Sequence, residues 1–414
     1  MRAVVVGLVA VVMLPAMLWA QDDPHAGMQH DMAAAGWTFM QDGLVFAMYN
    51  DQGSARGERE FKIPNWWMGM AERPVAKGRL TINLMLSLDP ATVGAQGYSH
   101  ILQVGETYEG NALIDHQHPH DFLMQAAAIW RRPIGKATLI VAGAPVGEPA
   151  LGPIAFMHRS SAAENPMSPL GHHTLDSTHI AMGVITAGLD TGRYQVESSV
   201  FHGAEPDENR WDLMDPGPLD SWSVRGWYRP TAAWTFQVSH GYLTQPEAIE
   251  EGDVRRTTAS AAWLHDPGAR STAMTLAWGR NEKLGGSYDA YLGELTKNFS
   301  WGAVFGRAEV TQVETDVLRS GVHTFQGGRK SSHVVEPGRR DFVGAVSLGS
   351  TKTLWKPRGW DVAAGGMLTG YVTPASLSPF YGQNPWSFQI FGRVRIPSMH
   401  RMLDMTMTAT DTHR

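Results

Sequence analysis

Seven consecutive residues, Asp115-His116-Gln117-His118-Pro119-His120-Asp121, bring three imidazoles and two carboxylates together in a chain that has no cysteine. Neutral imidazole is the commonest side-chain ligand for copper, zinc, nickel and iron, and a carboxylate either ligates directly or orients a histidine through its second ring nitrogen. His116, His118 and His120 stand at i, i+2 and i+4, so an extended backbone directs all three to one side. Pro119 favours extension, because the residue ahead of a proline is driven out of the helical region. The alternative without metal is a hydrogen-bonded network that fastens a loop, with Asp121 capping a short helix or opening a strand over Phe122 to Trp130.

Nine of the seventeen histidines fall between His100 and His202. A second group runs from His158 through Glu164 to His172, His173, Asp176 and His179. Strand alternation puts His179 on an inward face with Ala181 and Gly183, and Ile180, Met182 and Val184 on the other. Adjacent His172 and His173 cannot both reach one ion from an ideal strand, which predicts one ligand and one structural partner. The ligand candidates are therefore His116, His118, His120, His158, His172, His173 and His179. Asp115, Asp121, Glu164 and Asp176 serve as auxiliary ligands or as orienters. His202 and His240 continue apolar faces and read as interface residues.

Both ends of the chain pair thioether with imidazole: His25, Met28, His30 and Met32 at one, Met399, His400 and Met402 at the other. That combination selects copper, particularly Cu(I), over hard cations, and marks these residues as auxiliary capture sites. An enzyme reading uses Ser177 with His179, Asp176 and Asn165 as nucleophile, base and orienters of a hydrolase. Ser177 and His179 stand two apart on one face without reaching one another, and no nucleophile elbow occurs, so the chain reads as non-enzymatic.

The elements that position these groups read as strands. Residues 1–20 have the form of a secretory signal peptide, which predicts export. No later stretch approaches the roughly 18 apolar residues of a membrane-spanning helix, so a membrane would be crossed with strands. With no cysteine, stability must come from packing, sheet closure or lipid. The net charge is −6 and no basic stripe is visible, which argues against a nucleic-acid partner.

From Leu80 the chain alternates Leu80, Ile82, Leu84 and Leu86 against Thr81, Asn83, Met85 and Ser87, a period of two. The pattern returns at Trp234 to Ser239 and from Ser387 to Ile396, and about fifteen such segments can be drawn. Segments of about ten residues joined by Gly, Asn, Asp and Pro turns are the signature of an outer-membrane barrel, with Trp222, Trp227, Tyr228, Tyr242, Trp355, Trp360, Tyr371 and Trp386 suited to interfacial girdles. A soluble sandwich or propeller is the competing architecture. Three stretches, about 90–121, 146–177 and 315–340, break the rhythm, and the first two carry most of the histidines.

The segments Phe61 to Met70, His118-Pro-His-Asp121, Gly147 to Pro153, Phe156-Met-His-Arg159 and Asp176-Ser-Thr-His179 resemble an uncharacterised family of bacterial outer-membrane-type proteins across nearly the whole mature chain. That resemblance implies a barrel and export and carries no activity. Members often have arginine where this chain has His116, which makes His116 the weakest ligand of its trio. The Met/His ends are similar in composition to copper-resistance outer-membrane proteins.

The expectation is an all-β, transmembrane antiparallel barrel of about 14–16 strands over residues 37–398, with His-rich inserts at about 90–121 and 146–177. Residues 1–20 form the signal peptide, 21–36 and 399–414 the Met/His-bearing flanks. The expected place is the outer membrane of a Gram-negative-type bacterium, and the expected task is to bind or pass a transition metal, copper first, in metal resistance or homeostasis. A porin-like channel for small solutes with structural histidines is the alternative. Outer-membrane lipid, a metal ion or small solute and a periplasmic metal-handling protein are the partners, with no organic cofactor.

Overall fold

The computed structural model describes residues 36–213, 217–248, 251–268, 270–283, 286–320 and 338–397. The signal segment and the flanking His25, Met28, His30, Met32, Met399, His400 and Met402 lie outside these residues.

The wall of the molecule is built from β1 (Thr38–Gly53), β2 (Arg59–Lys62), β3 (Asn65–Val75), β4 (Gly78–Leu86), β7 (Leu123–Ile134), β8 (Ala137–Gly147) and β9 (Ala181–Asp190). It continues through β10 (Tyr194–His202), β11 (Ser221–Thr231), β12 (Trp234–Leu243), β13 (Val254–His265), β14 (Thr272–Lys283) and β15 (Gly286–Phe299). β16 (Gly302–Glu314), β17 (Arg340–Trp355), β18 (Asp361–Val372) and β19 (Trp386–Arg395) complete it. Each strand pairs antiparallel with the next, and β1 pairs with β19 from Leu44↔Arg395 to Gly53↔Trp386, so the sheet closes. β2 and β3 both pair with β1 and form one stave, interrupted at Ile63 and Pro64, which leaves a barrel of sixteen strands. Among the described residues no helix is long and apolar enough to cross a membrane.

The two rims differ. At one lie both ends of the described chain and short turns such as Ala76-Lys77 and Gly135-Lys136; at the other lie the long connections. Outer-membrane barrels have this asymmetry, with short periplasmic turns and long external loops. Ile82, Leu84, Val238, Leu348 and Ile390 point outward and stay exposed, while Thr81, Asn83, Gln237, Ser239 and Gln389 point inward. Aromatic rows mark both rims: Tyr194–Tyr228 (5.0 Å), Trp234–Trp263 (6.3 Å) and Phe299–Trp301 (5.3 Å) at the short turns, Tyr49–Phe388 (5.9 Å) and Trp222–His240 (5.9 Å) at the long loops. Two expected girdle residues belong inside instead. Trp227 donates its indole N–H to Glu197 and Tyr371 its hydroxyl to Gln52.

Two inserts fill the interior. The first, between β4 and β7, carries the helical turn α1 (Asp89–Thr92) and a hairpin of β5 (Tyr98–Tyr108) and β6 (Asn111–Gln117). The second, residues 148–180, carries α2 (His172–Leu175) and is buried over nearly its whole length. It descends past Ser199 and Ser239, whose hydroxyls accept from the amides of Ala150 (2.8 Å) and Gly152 (2.9 Å). It reaches bottom at Glu164, which meets Arg393 and Arg395 near the short-turn rim. It climbs back where Arg307 donates to Met167 O (2.9 Å) and Arg256 to His173 O (2.7 Å).

This packing explains two differences from the sequence expectation. The inner faces of β7 to β10 touch the insert rather than water, so Ile129, Ile140, Ala142, Val184 and Phe201 are apolar and buried there. Both faces are then apolar, and alternation loses its meaning. Met182, Val184 and Thr186 point inward while Ile185 and Leu189 are exposed, the reverse of the expected facing for β9. Likewise β7, with Ala126-Ala127-Ala128 at its centre, carries no period-two signal, and its pairing with β4 and β8 decides its form.

His100, on β5, is 4% exposed. Burial, with Arg307 adding to it, pulls its pKa from 6.5 down to about 3. The unfolded chain takes the proton at the higher pH, so the stabilisation from a neutral His100 is complete above 6.5 and is lost as pH falls toward 3. The loss runs at up to about 1.4 kcal/mol per pH unit. Proteolysis of the hairpin is therefore expected to rise between pH 6 and pH 4, and His100→Gln to flatten that rise; an identical pH profile in the variant counts against the assignment.

Candidate metal centre

The first insert ends β6 at Gln117 and turns through His118, Pro119 and His120 before β7 begins. Opposite it stand α2 of the second insert and the turn that carries His179. The imidazoles converge: His118 lies 5.8 Å from His172 and 5.4 Å from His173 by ring centroid, and 6.4 Å from His120. His179 lies 5.8 Å from His120 and 5.4 Å from His172, while His172 and His173 are 5.3 Å apart. The helical turn produces the last pair. On a helix of 3.6 residues per turn, neighbours diverge by about 100° rather than 180°, so both rings can border His118. The close approach also needs Gly105 on β5, where a Cβ would sit 2.2 Å from the His173 ring.

Four of the five rings share one hydrogen-bonding arrangement. Nδ1 of His120 lies 2.8 Å from an Asp89 carboxylate oxygen and Nδ1 of His172 lies 2.7 Å from Asp176. Nδ1 of His118 and of His179 face the backbone oxygens of Pro119 (3.2 Å) and Asp176 (2.8 Å). Each of these oxygens is an acceptor, so each Nδ1 carries the proton and each Nε2 is left with a lone pair. All four Nε2 atoms are buried and make no hydrogen bond. A buried acceptor without a partner costs about 1–3 kcal/mol, and four in one place are unusual. Metal-bound histidines show this same pattern, one nitrogen fixed by an acceptor and the other turned to the ion.

Carboxylates rim the cluster. Glu106 Oε1 stands 3.1 Å from His118 Nε2, off the line of a hydrogen bond, so an imidazole lone pair and a carboxylate face one another. Glu106 also pairs with Arg210, which reaches Asp121 at 3.4 Å. His173, Glu205 and Glu247 each bring one ligand atom to within 4.8 Å of the other two. Burial, with neighbouring Glu247 and Glu106 adding to it, pushes Glu205 well above the ordinary carboxylate range. Burial likewise lifts Asp121 to about 7, with Arg210 opposing. Three of the imidazoles are held neutral: burial and the adjacent cations and rings lower His118 and His173 well below their usual value, and His179 to about 3. Neutral imidazole is the ligating form.

Not every expected ligand arrives here. Asp115 is taken up by Arg56 (2.8 Å), the Tyr381 hydroxyl (3.1 Å) and the Leu102 amide (2.7 Å). His116 stays on β6, its Nδ1 turned back to Ile114 O at 3.0 Å, because the extended run that would align it with His118 stops at Gln117. Glu164 is bound to Arg393, Arg395 and Thr351 at the far end of the insert. His158 packs on Trp66 at 4.8 Å, below the cluster. Asp176 holds His172, and Asp121 stays at the rim with Arg210. The hydrolase parts do not meet: Ser177 accepts from Arg256 (3.0 Å) while His179 is turned to Asp176 O.

Asp89, Glu106, Glu205, Glu247 and Arg210 were not anticipated. Asp89 reads in sequence as the last polar member of the β4 alternation; Glu106 lies on β5, Glu205 and Arg210 on the connection from β10 to β11 and Glu247 on that from β12 to β13, none within a motif. The adjoining prolines Pro206 and Pro246 are the only local signal, and Glu205 N donates to Pro246 O at 2.9 Å.

The fold is that of known porin barrels. The chain is similar to an anion-selective porin from Comamonas acidovorans, with a TM-score of 0.52 at 11% identity over 87% of this chain and 100% of that one. It is similar to OprB of Pseudomonas putida, with a TM-score of 0.52 at 10% identity over 89% and 96%. For OmpF of Salmonella typhi the values are 0.50, 9%, 88% and 99%. No protein-family model matches the sequence, and no curated protein matches it. At these identities the likeness speaks for the architecture, a closed outer-membrane-type barrel, and agrees with an outer-membrane location.

Proposed function

We propose that this chain is an outer-membrane barrel of porin architecture whose inserts hold a transition-metal site, with copper the leading ion. One observation carries the reading: four buried imidazoles each hold an Nε2 that makes no hydrogen bond, that of His118 facing the Glu106 carboxylate at 3.1 Å, while the opposite nitrogen is fixed by an acceptor. His118, His120, His172 and His179 are the ligand set, Asp89 and Asp176 the groups that orient them. His173, Glu205 and Glu247 form an approach at the loop side. Imidazole nitrogen with carboxylate suits copper, zinc, nickel or iron and not calcium or magnesium. The interior is filled by the inserts, so an ion would pass by transfer between ligands rather than through an open pore.

The second reading is a small-solute channel in which the histidines only fasten the inserts. Porin architecture favours it, and so does the spacing of the four imidazoles, which must contract to share one ion where His173, Glu205 and Glu247 already lie within 4.8 Å. Metal analysis of protein purified from outer membranes without a histidine tag decides between them. About one copper, zinc or nickel per chain, removed by chelator, is expected. Metal-free protein with steady conductance in planar bilayers that ignores added copper establishes the channel instead.

A further inference from the structure

Ten of the eleven described methionines gather in one place. Nine belong to a single buried apolar cluster, Met40 packs against it, and Met274 alone stands apart. The three other buried clusters contain Leu, Ile, Val, Ala, Phe and Tyr but no methionine. Methionine is a versatile filler of irregular gaps, and a filler would be spread over all four. Its confinement to one cluster asks for another reason.

Six of the ten stand on β1, β3, β4 and β7, while Met157 and Met167 belong to the second insert, Met182 to β9 and Met367 to β18. Met68 is the register partner of Met85 across β3 and β4, and Met70 that of Met40 across β3 and β1, all on the inward face. Met68, Met70, Met85 and Met124 line a cavity together with His158 and His179. Glu148 also borders it, and its charge is met by Arg225 at 2.7 Å. His179 connects the two sites: it belongs to the imidazole cluster above and to this cavity below.

We propose that this cavity is a second binding site, for a soft monovalent ion of the Cu(I) or Ag(I) class. Thioether sulfur and imidazole nitrogen are the donors such ions prefer. The four thioethers and His158 are neutral ligands, His179 offers its one free nitrogen to either site, and the one adjacent carboxylate is already paired, so a single positive charge is easier to desolvate here than a double one. The upper cluster, with its carboxylate rim, has the complementary preference. Apart from His179 the two sites use different residues, so each assignment can fail alone.

The test uses the full chain in detergent with Ag(I) as the probe. Met68→Leu/Met85→Leu/Met124→Leu keeps side-chain volume and should reduce silver uptake by about one equivalent, or weaken it at least tenfold, while leaving divalent copper uptake in place. His172→Ala should do the reverse. Silver uptake unchanged in the triple variant overturns the proposal. Absorption spectroscopy at the silver edge on the unsubstituted protein provides a reading independent of folding: sulfur neighbours support the site, and a shell of nitrogen and oxygen alone refutes it.

Discussion

His172→Ala is expected to bring the bound metal from about one ion per chain to near zero, with affinity falling on the order of a hundredfold, or roughly 2.7 kcal/mol. The size of the effect follows from its position. His172 is 0% exposed and its ring neighbours those of His118, His173 and His179, a number matched only by His118. Asp176→Asn tests the same centre from behind, because it replaces the acceptor that fixes Nδ1 with a neutral amide able to donate. A loss of about 10–100-fold is expected, typical of groups that orient a metal-bound histidine. Metal content of the purified variants, with heat-modifiable gel mobility as the fold control, gives the answer. Full occupancy in His172→Ala eliminates the site.

Arg159→Met is expected to loosen the second insert. Arg159 is 2% exposed and joins Glu294 on the wall (2.7 Å) to Asp176 of the insert, with Ile154 O accepting a further bond at 3.0 Å. Burial alone would raise Asp176, yet Arg159 and His172 hold it well below the ordinary carboxylate range. Removing the guanidinium leaves buried Asp176 without its cation and Glu294 with Arg307 alone (2.9 Å), and breaking such a buried pair costs about 3–5 kcal/mol. The barrel wall keeps its own ladder, so the loss should fall on the insert. Bilayer conductance should increase from a closed baseline and protease should cut within residues 148–180. Metal affinity should fall in the same variant, because Asp176 is both the partner of Arg159 and the orienter of His172. Unchanged conductance and cleavage would mean that the insert is held elsewhere.

The barrel was legible in the sequence wherever one face meets lipid and the other meets polar groups, as in β4, β12 and β19. It was not legible where the inserts replace water, because β7 and the inner face of β9 lose their polar side. The two histidine groups could be found by composition, and their convergence could not. His118 and His172 meet only because two excursions from different hairpins enter the same lumen. The same cause hides Glu205 and Glu247, which contribute single carboxylates from loops that have no pattern of their own. Asp115 and His116 show the opposite error: adjacency in sequence promised a common site, and a turn at Gln117 separated them.

The second insert departs from Gly147 and returns at Ala181, and these two residues are direct register partners on neighbouring strands. The hoop of the barrel is therefore whole without it, and the residues between form a cartridge seated from the long-loop rim. A barrel built on this plan can change the chemistry of its interior by rewriting the cartridge and the few wall residues that grip it, while the staves and their closure stay as they are.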